Sequence, residues 1–340
     1  MASEARRPAG PDPREDCAMA LPGRSRNRTT TGTAPRGRGR LAAAALAAGI
    51  GLTGLVTAPA GADVPPPDEG WTLTFGDDFT GAAGAAPGDD WQVDTGRGYP
   101  GGPDGWGTGE VQTYTADPEN LQQDGDGNLA ITPRRDESGA WTSSRIETRR
   151  GDFKAAEGGV LRIEGRIRMP DVAADGALGY WPAFWALGSP YREDLWSWPT
   201  IGEFDIMENV NAENRVYGVL HCDVSPGGSC DETDGLAASR ECPDSTCQEA
   251  FHTYRFEWDR SGEVEELRWY VDGQQYHSVR ESDVDAAAWR SMTEHDGYFV
   301  LLNVAVGGQF PDKNSGITTP TDATEPGHPM LVDYIAVYNR

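Results

Sequence analysis

Residues Gly202 to Val210 read GEFDIMENV and place three carboxylates, Glu203, Asp205 and Glu208, within six residues among apolar side chains. On a strand alternate side chains share a face, so Glu203 and Asp205 point one way while Phe204 and Ile206 point the other, into a core. Strict alternation would carry Met207 to the acidic face and turn Glu208 inward, burying an unpaired carboxylate at a cost. One inserted residue, a β-bulge, shifts the phase and returns Glu208 to the side of Glu203 and Asp205. The two glutamate Cα atoms then lie roughly 13 Å apart, four steps of about 3.3 Å, and both side chains can lean over Asp205. Two carboxyls flanking a bond, one ionised and one kept protonated, are the apparatus of glycoside hydrolysis. Separations of about 5 to 5.5 Å go with retention and about 6.5 to 9.5 Å with inversion, and the spacing in sequence leaves both open. The competing reading, a solvated acidic edge, fits poorly with the apolar residues between the acids and with Trp196, Trp198 and Pro199 just upstream.

Aromatic residues accompany the acids. GYWPAFWALG, residues 179 to 188, puts Trp181 and Trp185 four apart, on one face of a strand, where indole can pack against the CH face of a sugar. Phe184 and Leu187 read as core. Trp106, in the glycine-rich GWGTGEVQTYT, is expected on a loop at the rim of a groove. Other constellations fall away. DGDGN at Asp124 to Asn128 starts like an EF-hand loop, but Leu129 and Arg135 stand where Gly and Glu are required, so it reads as a turn before the strand LAIT. There is no GxSxG, HExxH or phosphate loop, and nothing marks a serine for a Ser/His/Asp triad.

The elements that must position these residues are short apolar/polar alternations bounded by Gly, Asp, Asn and Pro: WTLTF, VLRIEGRIRM, TYRFEW, ELRWYV, YFVLLNVAV and MLVDYIAVY among them. VDGQQ at Val271 to Gln275 reads as a hairpin turn, and ESDVDAAAWR at Glu281 to Arg290 is the best helix candidate. Many strands with few crossover helices predict an all-β, antiparallel two-sheet sandwich. Residues 1–62 are different material: nine Arg and four acids up to residue 40, then an apolar run from Leu41 to Val56 ending in APAGA. That order predicts a secretory signal with an extended basic leader, Met19 being an alternative start, and too short an apolar run to span a bilayer. Residues 63–70, with three consecutive prolines, read as a linker, and residues 71–340 as one domain.

Without the leader 20 basic and 50 acidic side chains remain, a net charge near −30, which repels nucleic acid and anionic membranes but leaves a neutral sugar polymer unaffected. Cys222, Cys230, Cys242 and Cys247 remain as an even set, as disulfides in an exported chain would require. Three connectivities are open, with the local pairs Cys222 to Cys230 and Cys242 to Cys247 preferred to a zinc site that lacks any CxxC.

In order, TFGDDF at 74–79, WGTGEVQTYT at 106–115, DGNLAIT at 126–132, SSRIETR at 143–149, GYWPAFWALG, WPTIGEFDIMENV, FHTYRFEW at 251–258, WYVDG, LLNVAVGG at 301–308 and VDYIAVY at 332–338 resemble the family 16 glycoside hydrolases, in particular their laminarinase-like endo-β-1,3-glucanases. The resemblance implies a β-jelly-roll sandwich with a concave substrate cleft and a retaining double displacement on internal β-1,3-glucosidic bonds. Glu203 would be the nucleophile, Glu208 the acid and then base, and Asp205 the residue that holds their charge state. It implies Arg145, Trp181, Trp185, Trp198, His221 and Asn303 as sugar contacts. No cofactor is needed for the chemistry, and Asp78, the Gly127 carbonyl and Asp333 match the positions of a structural Ca²⁺ in some members, all being oxygen donors. The expected partner is a β-glucan polysaccharide, met as a secreted monomer. Mixed-linkage glucan or a β-galactan is the alternative substrate, and a glucan-binding protein without turnover the alternative of another class, disfavoured because both glutamates are present. The insertion LHCDVSPGGSCDETDG is a departure from the simplest members and would reshape one end of the cleft.

Overall fold

The computed structural model describes residues 63–340, and the leader expected over residues 1–62 lies outside them. The alternating runs form two large antiparallel sheets. One runs Leu236–Arg240, Val216–His221, Glu203–Glu208, Tyr180–Gly188, Tyr298–Val306, Arg145–Thr148, Trp91–Asp94. The other runs Gln274–Arg280, Glu266–Val271, His252–Asp259, Val160–Arg168, Met330–Asn339, Leu129–Ile131, Leu121–Gln123, with Thr72–Asp77 also on Met330–Asn339. Apolar side chains from the facing surfaces interdigitate between them, as in an aligned sandwich. Phe204 of the first sheet lies between Phe256 of the second and Tyr298, with ring centroids 4.5 and 4.3 Å away. Truncating Phe204 to Ala should cost about 3 to 5 kcal/mol, the usual loss for a buried Phe, because both stacked neighbours lose their partner at once. Urea titration monitored by Trp fluorescence checks it.

The Val271–Gln274 pair closes on Asp272 and Gly273, both at positive φ, which is the two-residue turn that DG favours. The helical segment 281–290 resolves into a 3₁₀ turn, Glu281–Asp283, and an α-helix, Ala286–Thr293, whose first turn is capped by the Asp285 carboxylate accepting from Ala287 N. A second helix, Gln309–Ser315, ends on Gly316 at φ 74°. Its Pro and polar residues hid it from any periodicity reading. Both disulfides join the local pairs, Cys222 to Cys230 and Cys242 to Cys247. Residues 63–70 are held against the second sheet: Pro65 O accepts from Tyr338 OH, Asp68 pairs with Arg162, and Val64 packs beside Trp71 and Tyr338.

Candidate active site

The strand Glu203–Glu208 carries one residue more than its neighbours. Against Tyr180–Gly188, Asp205 faces Trp185 and Met207 faces Phe184. Against Val216–His221, Asp205 faces Val219 and Glu208 faces Tyr217. Ile206 and Met207 are therefore both core residues, fully buried, and Glu203, Asp205 and Glu208 all line the cleft on the outer face. The bulge is anchored from across the sandwich, where Trp269 Nε1 donates to the Asp205 carbonyl at 2.8 Å. Gly218 makes room for that indole, since a Cβ there would lie 2.7 Å from Trp269 Cδ1 and 2.4 Å from Tyr276 OH. Gly202 sets the entry to the strand at φ +78°, with Tyr298 OH filling the space a side chain would take.

The cleft encloses about 320 Å³. Its floor is Trp181, Ala183 and Trp185 of one strand and the three acids of the next. Trp106, Pro103, Tyr191 and Trp196 form its rim. Trp106 lies on the 3₁₀ turn Asp104–Gly107 rather than on a sheet, and Arg145 sits over its ring at 4.4 Å and over that of Trp185 at 4.8 Å. Arg145 is buried and pairs with Asp94 at 3.2 Å. Trp185 Nε1 donates to Asn303 Oδ1 at 2.8 Å, and Asn303 Nδ2 in turn donates to Tyr114 OH. Trp198 lines the cleft with its ring 5.6 Å from that of His221.

His221 is the cross-strand partner of Glu203, so it shares the face of the acids and stands beside them, with Nε2 3.4 Å from Asp205 Oδ2 and Nδ1 2.8 Å from Glu232 Oε2. One ligating atom each from Glu203, Asp205 and His221 lies within 4.8 Å of the others. Sequence reading missed Glu232, Glu110, Tyr99, Tyr191 and Trp196. Glu110 takes bonds from Thr108 Oγ1, Gln112 Nε2 and Tyr114 OH, so it braces Asn303 from behind. Tyr99 OH donates to Glu147 and faces Asp94, joining the network around Arg145. The signals for these were indirect: Glu110 and Tyr99 stand in the glycine-rich segment around Trp106, Trp196 stands just upstream of the acids, and Glu232 lies in the cysteine-bearing insertion.

Burial dominates the electrostatics. It pushes the Glu208 carboxyl up to about 7, against the pull of the 2.7 Å hydrogen bond from Trp181 Nε1 and the field of His221. Burial also raises Glu203, though His221 and Arg145 hold it back. Asp205 is raised well above the usual carboxylate range by burial and by its two glutamate neighbours. Three acids this close cannot all ionise at neutral pH, so the cluster holds a proton next to an ionised carboxylate. That is the division of labour acid catalysis with a nucleophile requires. Trp181→Phe keeps the ring but deletes the bond to Glu208, which favoured the charged form. The alkaline limb of kcat/KM should therefore move to higher pH, by about 1 unit at most, measurable in a pH–rate profile.

Two other groupings do not form such a site. Ser245 Oγ, His252 and Asp272 stand in a Ser–His–carboxylate order at 3.2 and 2.6 Å, yet His252 Nε2 also faces the Thr246 carbonyl at 3.3 Å. None of the three lines the cleft. Of the expected calcium donors, the Asp333 carboxylate is paired with Arg166 and Asp78 Oδ1 accepts from Thr80. A cation at Asp333 would have to compete with that guanidinium.

Comparisons with known proteins agree with this geometry. The family model described as "XgeA-like, catalytic GH16 domain" matches residues 167–255, the stretch that holds all three acids. The crystal structure of an endo-1,3-beta-glucanase from Streptomyces sioyaensis is 53% identical, with a TM-score of 0.79, over 82% of this chain and 99% of that one. A beta-glucanase of Rhodothermus marinus is 30% identical over 79% of this chain and 85% of its own length. The clotting factor G alpha subunit of Tachypleus tridentatus is also 30% identical, but this chain spans only 34% of it. The two-sheet sandwich is the β-jelly roll of the Streptomyces sioyaensis glucanase structure, and the chain belongs to glycoside hydrolase family 16.

Proposed function

We propose that this chain is a secreted endo-acting hydrolase that cuts internal β-1,3-glucosidic bonds with retention of configuration. The single observation that carries the chemistry is the bulge, which sets Glu203 and Glu208 on one cleft wall with Asp205 between them. The substrate reading draws on the endo-1,3-beta-glucanase from Streptomyces sioyaensis, 53% identical along nearly its whole length. The Glu203 carboxylate attacks the anomeric carbon as the bond to the leaving oxygen breaks. The proton of Glu208 passes to that oxygen, leaving a glycosyl ester on Glu203. Water then attacks the same carbon, giving its proton to the Glu208 carboxylate and freeing Glu203. Trp181, Trp185 and Trp106 pack on the sugar faces, while Arg145 and Asn303, fixed by Asp94, Tyr114 and Trp185, present donors to hydroxyls. This chemistry needs no cofactor. Two disulfides suit an oxidising, extracellular setting, and no helix among the described residues is long and apolar enough to cross a membrane. A neutral glucan, bound by a monomer, escapes the repulsion that the acidic surface imposes on nucleic acid or anionic lipid.

Incubation of the purified protein with laminarin, lichenan, agarose and galactan tests both halves. Laminarin should fall in viscosity ahead of the release of reducing ends, and the first product observed by NMR should be the β anomer. Activity confined to agarose or galactan overturns the substrate, and an α first product overturns the mechanism.

A further inference from the structure

We infer that Glu232 is a positioning residue for this site: it fixes the tautomer and charge of His221, and through His221 the charge on Asp205 between the two glutamates. The inference rests on the proposed roles of Glu203 and Glu208. Glu232 comes from the insertion that follows the strand Val216–His221, not from either sheet. The Cys222–Cys230 bond closes that insertion directly behind His221, and Glu232 lies two residues past the closure. Its backbone is held to Gly227 by a reciprocal pair of hydrogen bonds, Glu232 N to Gly227 O at 2.7 Å and Gly227 N to Glu232 O at 2.6 Å. Its side chain is wholly inaccessible to solvent.

Both carboxylate oxygens are committed at one point in the chain. Oε1 accepts from Cys222 N at 2.8 Å and Oε2 meets His221 Nδ1 at 2.8 Å. An acceptor-only carboxylate there requires Nδ1 to carry a proton, which leaves Nε2 as the atom turned to Asp205 Oδ2. That oxygen is buried and has no hydrogen bond of its own. An imidazolium is thus clamped between Glu232 and Asp205, with Glu203 and Glu208 also in its field, Trp198 against its ring, and Arg145 as the further cation acting on Glu203. Burial opposes a charge on His221, but the hydrogen bond it donates to Glu232 and the fields of Asp205 and Glu203 prevail, placing it at about 10. This is the arrangement by which a carboxylate behind a histidine sets the tautomer in front.

Glu232→Gln keeps the shape and an acceptor for Cys222 N but presents an amide donor to Nδ1, so the imidazole must turn neutral there. The cation beside Asp205 and Glu203 is then lost, and the nucleophile ionises at higher pH. The direct field of Glu232 on Glu203 has the opposite sign, but the influence of His221 is the larger. The acid limb of kcat/KM on laminarin should rise by about one pH unit, with the plateau rate kept within about threefold. Glu232→Asp, which restores the charge, should move the limb back toward wild type. Imidazole ¹⁵N shifts read the same inference without substrate: His221 should stay doubly protonated through pH 8 in the wild-type protein and become neutral near pH 7 in the Gln variant. An unmoved acid limb, a uniform loss of rate at every pH, or a wild-type His221 that is neutral at pH 7 overturns the role of Glu232. If the wild-type protein cleaves no glucan, the proposed function fails while the NMR result still decides this point. If the Gln variant fails to fold, the wild-type spectrum alone decides it.

Discussion

Glu203→Gln is expected to lower kcat on laminarin by about ten-thousand-fold or more while the fold survives, since removal of a covalent nucleophile leaves only binding and acid assistance. Gln is isosteric and its amide oxygen still accepts the bond Trp198 gives the glutamate, so the strand and the bulge have no reason to move. Stability should shift in the opposite direction to activity. Burial raises the Glu203 carboxyl in the folded state, so its ionised form is disfavoured on folding. The penalty is absent below the ordinary carboxylate range and grows as pH rises through the raised folded value. A neutral amide escapes it, so the variant should melt at or above the wild-type temperature at pH 7 and match it near pH 4. A slow fluorinated glucoside should label the wild-type protein on the peptide containing Glu203, by mass spectrometry, and leave the variant unlabelled. Retention of more than a few per cent of the rate in a folded Gln variant removes Glu203 from the mechanism.

How much of this was legible in the sequence depends on how far each feature reaches along the chain. The phase slip could be read locally, because Met207 and Glu208 stand in the wrong order for strict alternation and only an extra residue reconciles them with a core. What holds the bulge could not be read: Trp269 lies 64 residues away on the opposite sheet. The same limit hid the second layer of the site. Asp94 looked like one more acid in an acidic protein until the pairing of Trp91–Asp94 with Arg145–Thr148 set it against Arg145. Glu110 lay in a glycine-rich stretch with no periodicity, and its value arises from Tyr114 and Gln112 folding back over it. His221 was legible as important, and the register that sets it opposite Glu203 puts it on the face of the acids, but the Glu232 carboxylate behind it could not be read, because it comes from a loop and not from a strand of the sheet. The expected calcium donors show the same limit: their oxygens can be read from sequence, whereas the guanidinium of Arg166 that pairs with Asp333 cannot.

Glu208→Gln should separate the two steps of the reaction. General acid assistance is worth about a hundred- to ten-thousand-fold, and departure of a sugar hydroxyl needs it, so kcat on laminarin should fall by that factor. An aryl glucoside with a good leaving group needs no proton, so its first step should stay fast and a burst of aryl alcohol should precede slow turnover, because Glu208 is also absent as the base for water. The pH profile carries the sharper reading. In the wild-type protein Glu208 must be protonated to act, and burial holds it at about 7, so kcat/KM should decline above pH 7 by about tenfold per unit. Replacing it with an amide that cannot titrate should abolish that decline in the residual cleavage of laminarin while the acid limb set by Glu203 persists. Should the alkaline limb survive unchanged in the variant, the titrating acid is another group, and Asp205, a buried cleft carboxyl raised well above the usual carboxylate range, would be the one to replace next.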